Sequence, residues 1–149
     1  MATPRLPDDF KEFLKLLDAN KVEYLLIGGY AVGYYGYPRA TADMDIWIGI
    51  RPDNARKLVA TLREFGFGDA GLSDELLLEE GKILRMGMPP LRLEIHTSIS
   101  GVNFEECYRE RVQGTIDGVQ VNLISLPHLK ANKAAAGRHR DLDDLEHLQ

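Results

Sequence analysis

Residues 41–50 restrict the fold of this chain more than any other stretch. Met44, Ile46 and Ile48 alternate there with Asp43, Asp45 and Trp47. A period of two predicts a β-strand, because successive strand side chains point to opposite faces. Its apolar face must be covered, and its other face then holds two carboxylates in one small volume. Unpaired like charges so close are costly and persist cheaply only with cations between them. Hard oxygen ligands select Mg²⁺ or Mn²⁺ over zinc or copper. An isolated DxD reads first as a solvated strand face, so its weight depends on what surrounds it.

The rest of the chain supplies the sheet and its cover. After Pro7, the residues Phe10, Phe13, Leu14, Leu16 and Leu17 recur at helical spacing. Asp8 and Asp9 stand in the first turn, where the helix dipole favours acids, and the pattern predicts a helix ending near Asn20. Residues 22–27 form a short apolar run closed by Gly28-Gly29, which reads as a buried strand followed by a turn of close backbone approach. Residues 31–35 fit one or two helical turns. Pro52 and the stripe Leu58, Val59, Leu62 and Phe65 predict a helix running to Gly66. Residues 82–88 and 91–97 read as neighbouring strands joined at Pro89-Pro90, with Arg92, Glu94 and His96 sharing one face. Asp117-Gly118, between residues 112–116 and 119–124, signals a tight hairpin. Ser125 can cap a final helical region, 126–148, which Gly137 divides. This order predicts an α+β (α/β) fold, a modest mixed β-sheet flanked by helices with a helical C-terminus, in a single domain spanning residues 1–149.

Composition narrows the function. A chain of 149 residues, 44% hydrophobic and 28% charged, can bury one core and has no room for a second. No apolar run approaches the ~20 residues needed to cross a bilayer, and the N-terminus lacks signal-peptide order, so a cytoplasmic protein is expected. A net charge of −5 argues against general electrostatic coating of nucleic acid. The single cysteine, Cys107, removes internal disulfides and has no metal-ligand spacing around it, which sets zinc and thiol chemistry aside. The glycines between Gly28 and Gly36 do not form GxGxxG, and no GK[ST] occurs, so neither a dinucleotide fingerprint nor a P-loop is present. Lys130, Lys133, Arg138 and Arg140, followed by Asp141, Asp143, Asp144 and Glu146, read as a solvated helix face of mixed sign.

Upstream of Asp43, Gly28-Gly29 closes an apolar strand where backbone N–H groups can hold phosphate. Arg39 and Thr41 add a cation and a hydroxyl. Phosphate cradle, cation and paired carboxylates are the parts that bind a nucleoside triphosphate with its metals. Ile27-Gly28-Gly29 followed by Asp43-Met44-Asp45-Ile46 resembles the nucleotidyltransferase superfamily. The fuller stretch IGGYAVGYYGYPRATADMDIWI is similar to the AbiEii-type toxin nucleotidyltransferases and their small bacterial relatives. Lys133, Arg140-Asp141 and Asp144-Leu145 match the C-terminal helical motif of those relatives, so the likeness runs from about residue 22 to the end of the chain.

The resemblance implies a nucleotidyltransferase-like fold and transfer of a nucleoside monophosphate from an NTP to an acceptor hydroxyl. Two Mg²⁺ ions, or Mn²⁺, would be held by Asp43, Asp45 and a third carboxylate on a later strand. Leu93-Glu94-Ile95 supplies that group as Glu94, where aspartate is usual, and Glu94 would help take the acceptor's proton. Gly28, Gly29 and Thr41 would bind the triphosphate, with Arg39 and Lys133 neutralising charge as pyrophosphate leaves. Acceptors in the superfamily include tRNA, protein side chains and small molecules, and nothing in the sequence chooses among them. The chain is short beside AbiEii-type enzymes, which favours a second possibility: a non-catalytic nucleotide- or partner-binding module, one component of a toxin–antitoxin pair. A metal-binding structural domain without nucleotide is a third. His96 reads first as structural, Tyr30, Tyr34, Tyr35 and Tyr37 as packing before base stacking, and Trp47 as a core or rim residue.

Overall fold

Helix α1 (Asp8–Ala19) buries Phe10, Phe13, Leu14 and Leu17, the stripe that its helical spacing places on one side. The computed structural model describes residues 4–38, 41, 43–67, 72–88 and 91–148. Strand β1 (Tyr24–Ile27) is buried along its whole length and runs straight into α2 (Gly28–Tyr34). This helix starts earlier than residues 31–35, because Gly28, at φ +69°, reverses the chain without a loop. Strand β2 (Asp43–Ile48) alternates as its sequence does, and α3 (Pro52–Leu62) begins with proline in its first turn. The chain continues through a wider turn over Arg63–Phe67 that Gly66 closes at φ +117°.

Strands β3 (Ile83–Met88) and β4 (Leu91–His96) pair antiparallel, from Ile83 opposite His96 to Met88 opposite Leu91. The Pro89-Pro90 turn expected between them lies outside the described residues. Helix α4 (Phe104–Arg109) follows; its six residues are too few to show a period, and the Asn103 side chain caps it by accepting from Glu106 N–H. Strands β5 (Val112–Ile116) and β6 (Val119–Leu123) form the hairpin, with positive φ at both Asp117 (49°) and Gly118 (81°), as a type I′ turn requires. Helices α5 (Leu126–Ala136) and α6 (His139–His147) are separated at Gly137, which is left-handed at φ +66°.

The six strands make one mixed sheet in the order β3-β4-β2-β1-β6-β5. β2 is parallel to β4 and β1 to β6, while the other neighbours are antiparallel. The fold is α+β, as the order of sequence elements implies. Met44, Ile46, Ile48, Leu93 and Ile95 point into the core with the buried faces of α1 and α3. The opposite faces of β2 and β4 present Asp43, Asp45, Glu94 and His96, all partly exposed. Among the described residues no helix is long and apolar enough to cross a membrane.

Candidate active site

Parallel pairing of β2 with β4 sets Asp43 opposite Arg92, Asp45 opposite Glu94 and Trp47 opposite His96. Since each strand alternates, the acidic side chains of both fall on one face. Asp43, Asp45, Glu94 and His96 line a single cleft of about 450 Å³. Ligand atoms of Asp45, Glu94 and His96 all lie within 4.8 Å of one another. His96 Nε2 is 3.0 Å from Asp45 Oδ1. Asp43 shares the cleft, and its Oδ1 accepts from Arg92 Nε at 3.1 Å; Glu94 Oε1 accepts from Arg85 Nε at 3.3 Å. Each acidic side chain therefore has a basic neighbour.

The glycine pair is shaped by these carboxylates. A Cβ on Gly28 would stand 2.3 Å from Asp45 Oδ2, and one on Gly29 would stand 2.8 Å from Thr41 Cβ and Oγ1. Backbone thus packs directly under the carboxylate, an approach that no side chain at residue 28 permits. Thr41 also lines the cleft, and its hydroxyl donates to the Asp43 carbonyl at 3.1 Å, tying the approach of the chain to the first residue of β2. Arg39 lies outside the described residues.

The C-terminal helices depart from the expected solvated face. Lys133 is buried, with Nζ 3.3 Å from Asp141 Oδ1 and 3.0 Å from Asp144 Oδ2, and both aspartates are buried too. The alternating signs at residues 130–146 conceal an internal ion cluster, because Gly137 folds α6 back on α5. Burial alone would raise the Asp141 carboxyl, but Arg138 and Lys133 together hold it below the usual carboxylate range. Arg138, Arg140 and Lys133 all reach the cleft wall.

The aromatic residues near the glycine pair are engaged in packing. Tyr30 meets the Phe10 ring edge-on at 6.0 Å, Tyr34 meets Tyr35 at 5.1 Å, and the Tyr35 hydroxyl donates to the Ile124 carbonyl at 2.7 Å. Tyr37 stacks on His147 at 4.0 Å, and Trp47 is buried edge-on to Phe104 at 5.2 Å. Burial, with Glu106 and Glu110 adding to it, pushes the Cys107 thiol up to about 11, so it is no nucleophile at neutral pH. Two groups were underweighted in the sequence. His96 was legible as sharing Glu94's face, whereas Arg138 read only as one basic residue of a solvated face of mixed sign.

The likeness to solved structures is found along nearly the whole chain. The crystal structure of lincosamide antibiotic adenylyltransferase LnuA, lincomycin-bound, superposes with a TM-score of 0.57 at 18% identity, covering 96% of each chain. The fold is nucleotidyltransferase-like. An antigenic nucleotidyltransferase-like protein from Paracoccidioides brasiliensis superposes with a TM-score of 0.55 at 17% identity, covering 97% of this chain and 77% of that one. No family model and no curated protein matches the sequence. At such identities the shared property is the nucleotidyltransferase-like fold, and the chemistry has to be argued from the cleft.

Proposed function

We propose that this chain is a divalent-metal-dependent nucleotidyltransferase that moves a nucleoside monophosphate from an NTP to an acceptor hydroxyl. The observation that carries the reading is the cleft in which Asp43, Asp45 and Glu94, from two adjacent parallel strands, face Gly28 and Gly29. Carboxylate oxygens, with the His96 nitrogen beside them, fit a hard divalent cation, and the clearance over Gly28 exists only for bare backbone. Asp43, Asp45 and Glu94 would hold Mg²⁺ or Mn²⁺, with His96 orienting Asp45. The bound metal would supply charge neutralisation along the triphosphate.

In the reaction the acceptor oxygen bonds to the α-phosphorus, the bond from that phosphorus to the bridging oxygen breaks, and pyrophosphate leaves. Glu94 takes the acceptor's proton. Gly28 and Gly29 bring backbone close to the triphosphate, with Thr41 at the same wall. Arg39 is kept as a neutralising cation on the resemblance alone. Lys133, expected from the sequence to contact phosphate, reaches the cleft wall with its ammonium already bound by two carboxylates. Within the superfamily the AbiEii-type branch is favoured by the sequence motif. The acceptor is a tRNA, a protein or a small molecule; the lincomycin-bound neighbour favours the last class.

A second reading, a non-catalytic nucleotide-binding module of a toxin–antitoxin pair, is favoured by one feature: Arg92, His96 and Arg85 each engage one of the three carboxylates and compete with a metal there. Calorimetric titration of each NTP, with and without Mg²⁺, and incubation of α-labelled NTP with candidate RNA, protein and small-molecule acceptors separate the two. Metal-dependent binding with label transfer supports the enzyme. Binding without transfer to any acceptor class supports the module, and no binding removes both.

A further inference from the structure

Gly137 turns the chain so that Lys133, in the last turn of α5, faces Asp141 and Asp144 on α6. An ammonium shared by two buried carboxylates has no surplus charge for an anion. Its removal takes from both of those carboxylates the buried counter-ion they share. Arg138, which precedes α6, is placed differently. Its Nε donates to Asp141 Oδ2 at 2.7 Å and its Nη2 to Oδ1 at 3.3 Å, a two-point clamp on a side chain that is otherwise 77% exposed. It lines the cleft that holds Asp45 and Glu94. The hydrogen bond to Asp141 first, and the fields of Asp45 and Glu94 in addition, hold the guanidinium firmly protonated. A guanidinium carries five N–H donors in a planar fork matched to phosphate oxygens, and the clamp uses two of them.

We propose that Arg138 is the phosphate-binding cation on the α5–α6 side of the cleft, with Asp141 as its positioning residue and Lys133 as the buried counter-ion of Asp141 and Asp144. The assignment rests on the nucleotidyltransferase reading of the site and moves to Arg138 the neutralising role that sequence resemblance gave Lys133. A triphosphate approaching the acidic wall of β2 and β4 needs a cation across the cleft, and Arg138 supplies a held and solvent-reachable one.

The test is calorimetric titration of Mg²⁺-NTP, and separately of inorganic tripolyphosphate with Mg²⁺, into wild type, Arg138→Ala, Arg138→Lys, Arg140→Ala and Lys133→Met, with a melting curve for each. Arg138→Ala should weaken both probes by roughly ten- to hundredfold, the loss of a charge-assisted hydrogen-bonding group. Its melting temperature should fall far less than that of Lys133→Met, since the Arg138 side chain is exposed and Asp141 keeps both Lys133 Nζ and the backbone N–H of residue 138. Arg138→Lys should recover part of the affinity, and Lys133→Met should melt far lower. Asp141→Asn should weaken binding in wild type and add nothing in the Arg138→Ala background, a coupling in affinity that a merely structural Asp141 does not produce. Wild-type affinity in Arg138→Ala, or a loss confined to Arg140→Ala or to a stably folded Lys133→Met, overturns the assignment and leaves the nucleotidyltransferase reading intact. Failure of wild type to bind either probe with Mg²⁺ overturns both.

Discussion

Gly28 meets two demands at once, a left-handed backbone at φ +69° and a carboxylate 2.3 Å from where a Cβ would sit. Gly28→Ala should therefore cost roughly 1–3 kcal/mol in urea unfolding and also weaken metal-dependent nucleotide binding, because relief of the clash moves Asp45. Asp45→Asn tests the metal site without a steric change. It removes one negative ligand oxygen and relieves repulsion with Asp43, so Mg²⁺-dependent NTP binding should vanish while melting in EDTA stays level or rises slightly. A variant that melts lower in EDTA and gains as much from Mg²⁺ plus NTP as wild type points instead to a structural Asp45. Gly28, Asp43 and Asp45 were legible in the sequence because a doublet ending an apolar run and an alternating DxD are local patterns. The approach of Asp45 to Gly28 was not, since it depends on the antiparallel register that sets Ile27 opposite Asp45.

Among the elements, the long amphipathic helices and the Asp117-Gly118 hairpin follow from period and turn chemistry, whereas α4 rests on one cap. Asn103→Ala removes the acceptor for Glu106 N–H, 3.1 Å away, and should lower stability by about 1 kcal/mol in chemical denaturation. Helices α5 and α6 make a sharper case. Their charges suggested a wet surface; with Lys133 enclosed by Asp141 and Asp144, Lys133→Met should instead cost roughly 3–5 kcal/mol. The physical difference is that periodicity reports which residues share a helix face, while a neighbouring helix decides whether that face is wet. Gly137 announced the break between the helices but not the angle at which they meet.

For the molecule as a whole, Asp117 and Asp141, two of the carboxylates whose values are lowered, make its stability sensitive to acid. Asp117 is lowered first by the Leu6 N–H, which donates to its Oδ2 at 2.9 Å, with Lys11 3.3 Å away, and so ties the N-terminal segment to the β5–β6 hairpin. Asp141 is lowered by Arg138 and Lys133 against the opposing effect of burial. A folded-state value below the unfolded one means the stabilisation is fully present above the ordinary 3.8 and is lost as pH falls through the lower folded value. Melting temperature should therefore fall as pH drops below the ordinary 3.8, and the fall should be shallower in Asp141→Asn and in Asp117→Asn than in wild type. A curve of equal steepness in all three proteins removes these two groups as its source.

Local chemistry determined the alternating strand of Asp43 and Asp45, the apolar run into Gly28-Gly29, the left-handed turn at Asp117-Gly118 and the break at Gly137. Each is governed by backbone sterics and by which side chains share a face within a few residues. Together they sufficed for an α+β fold with acidic residues on one strand face. Tertiary structure alone decided that β4 lies parallel beside β2, which brings Glu94 and His96 to Asp45 across about fifty residues of chain. It also decided that Lys133 is enclosed while Arg138 faces the cleft. Strand pairing and burial follow from packing free energy summed over contacts far apart in sequence, so a residue's type announces its charge, and only the fold assigns that charge a partner.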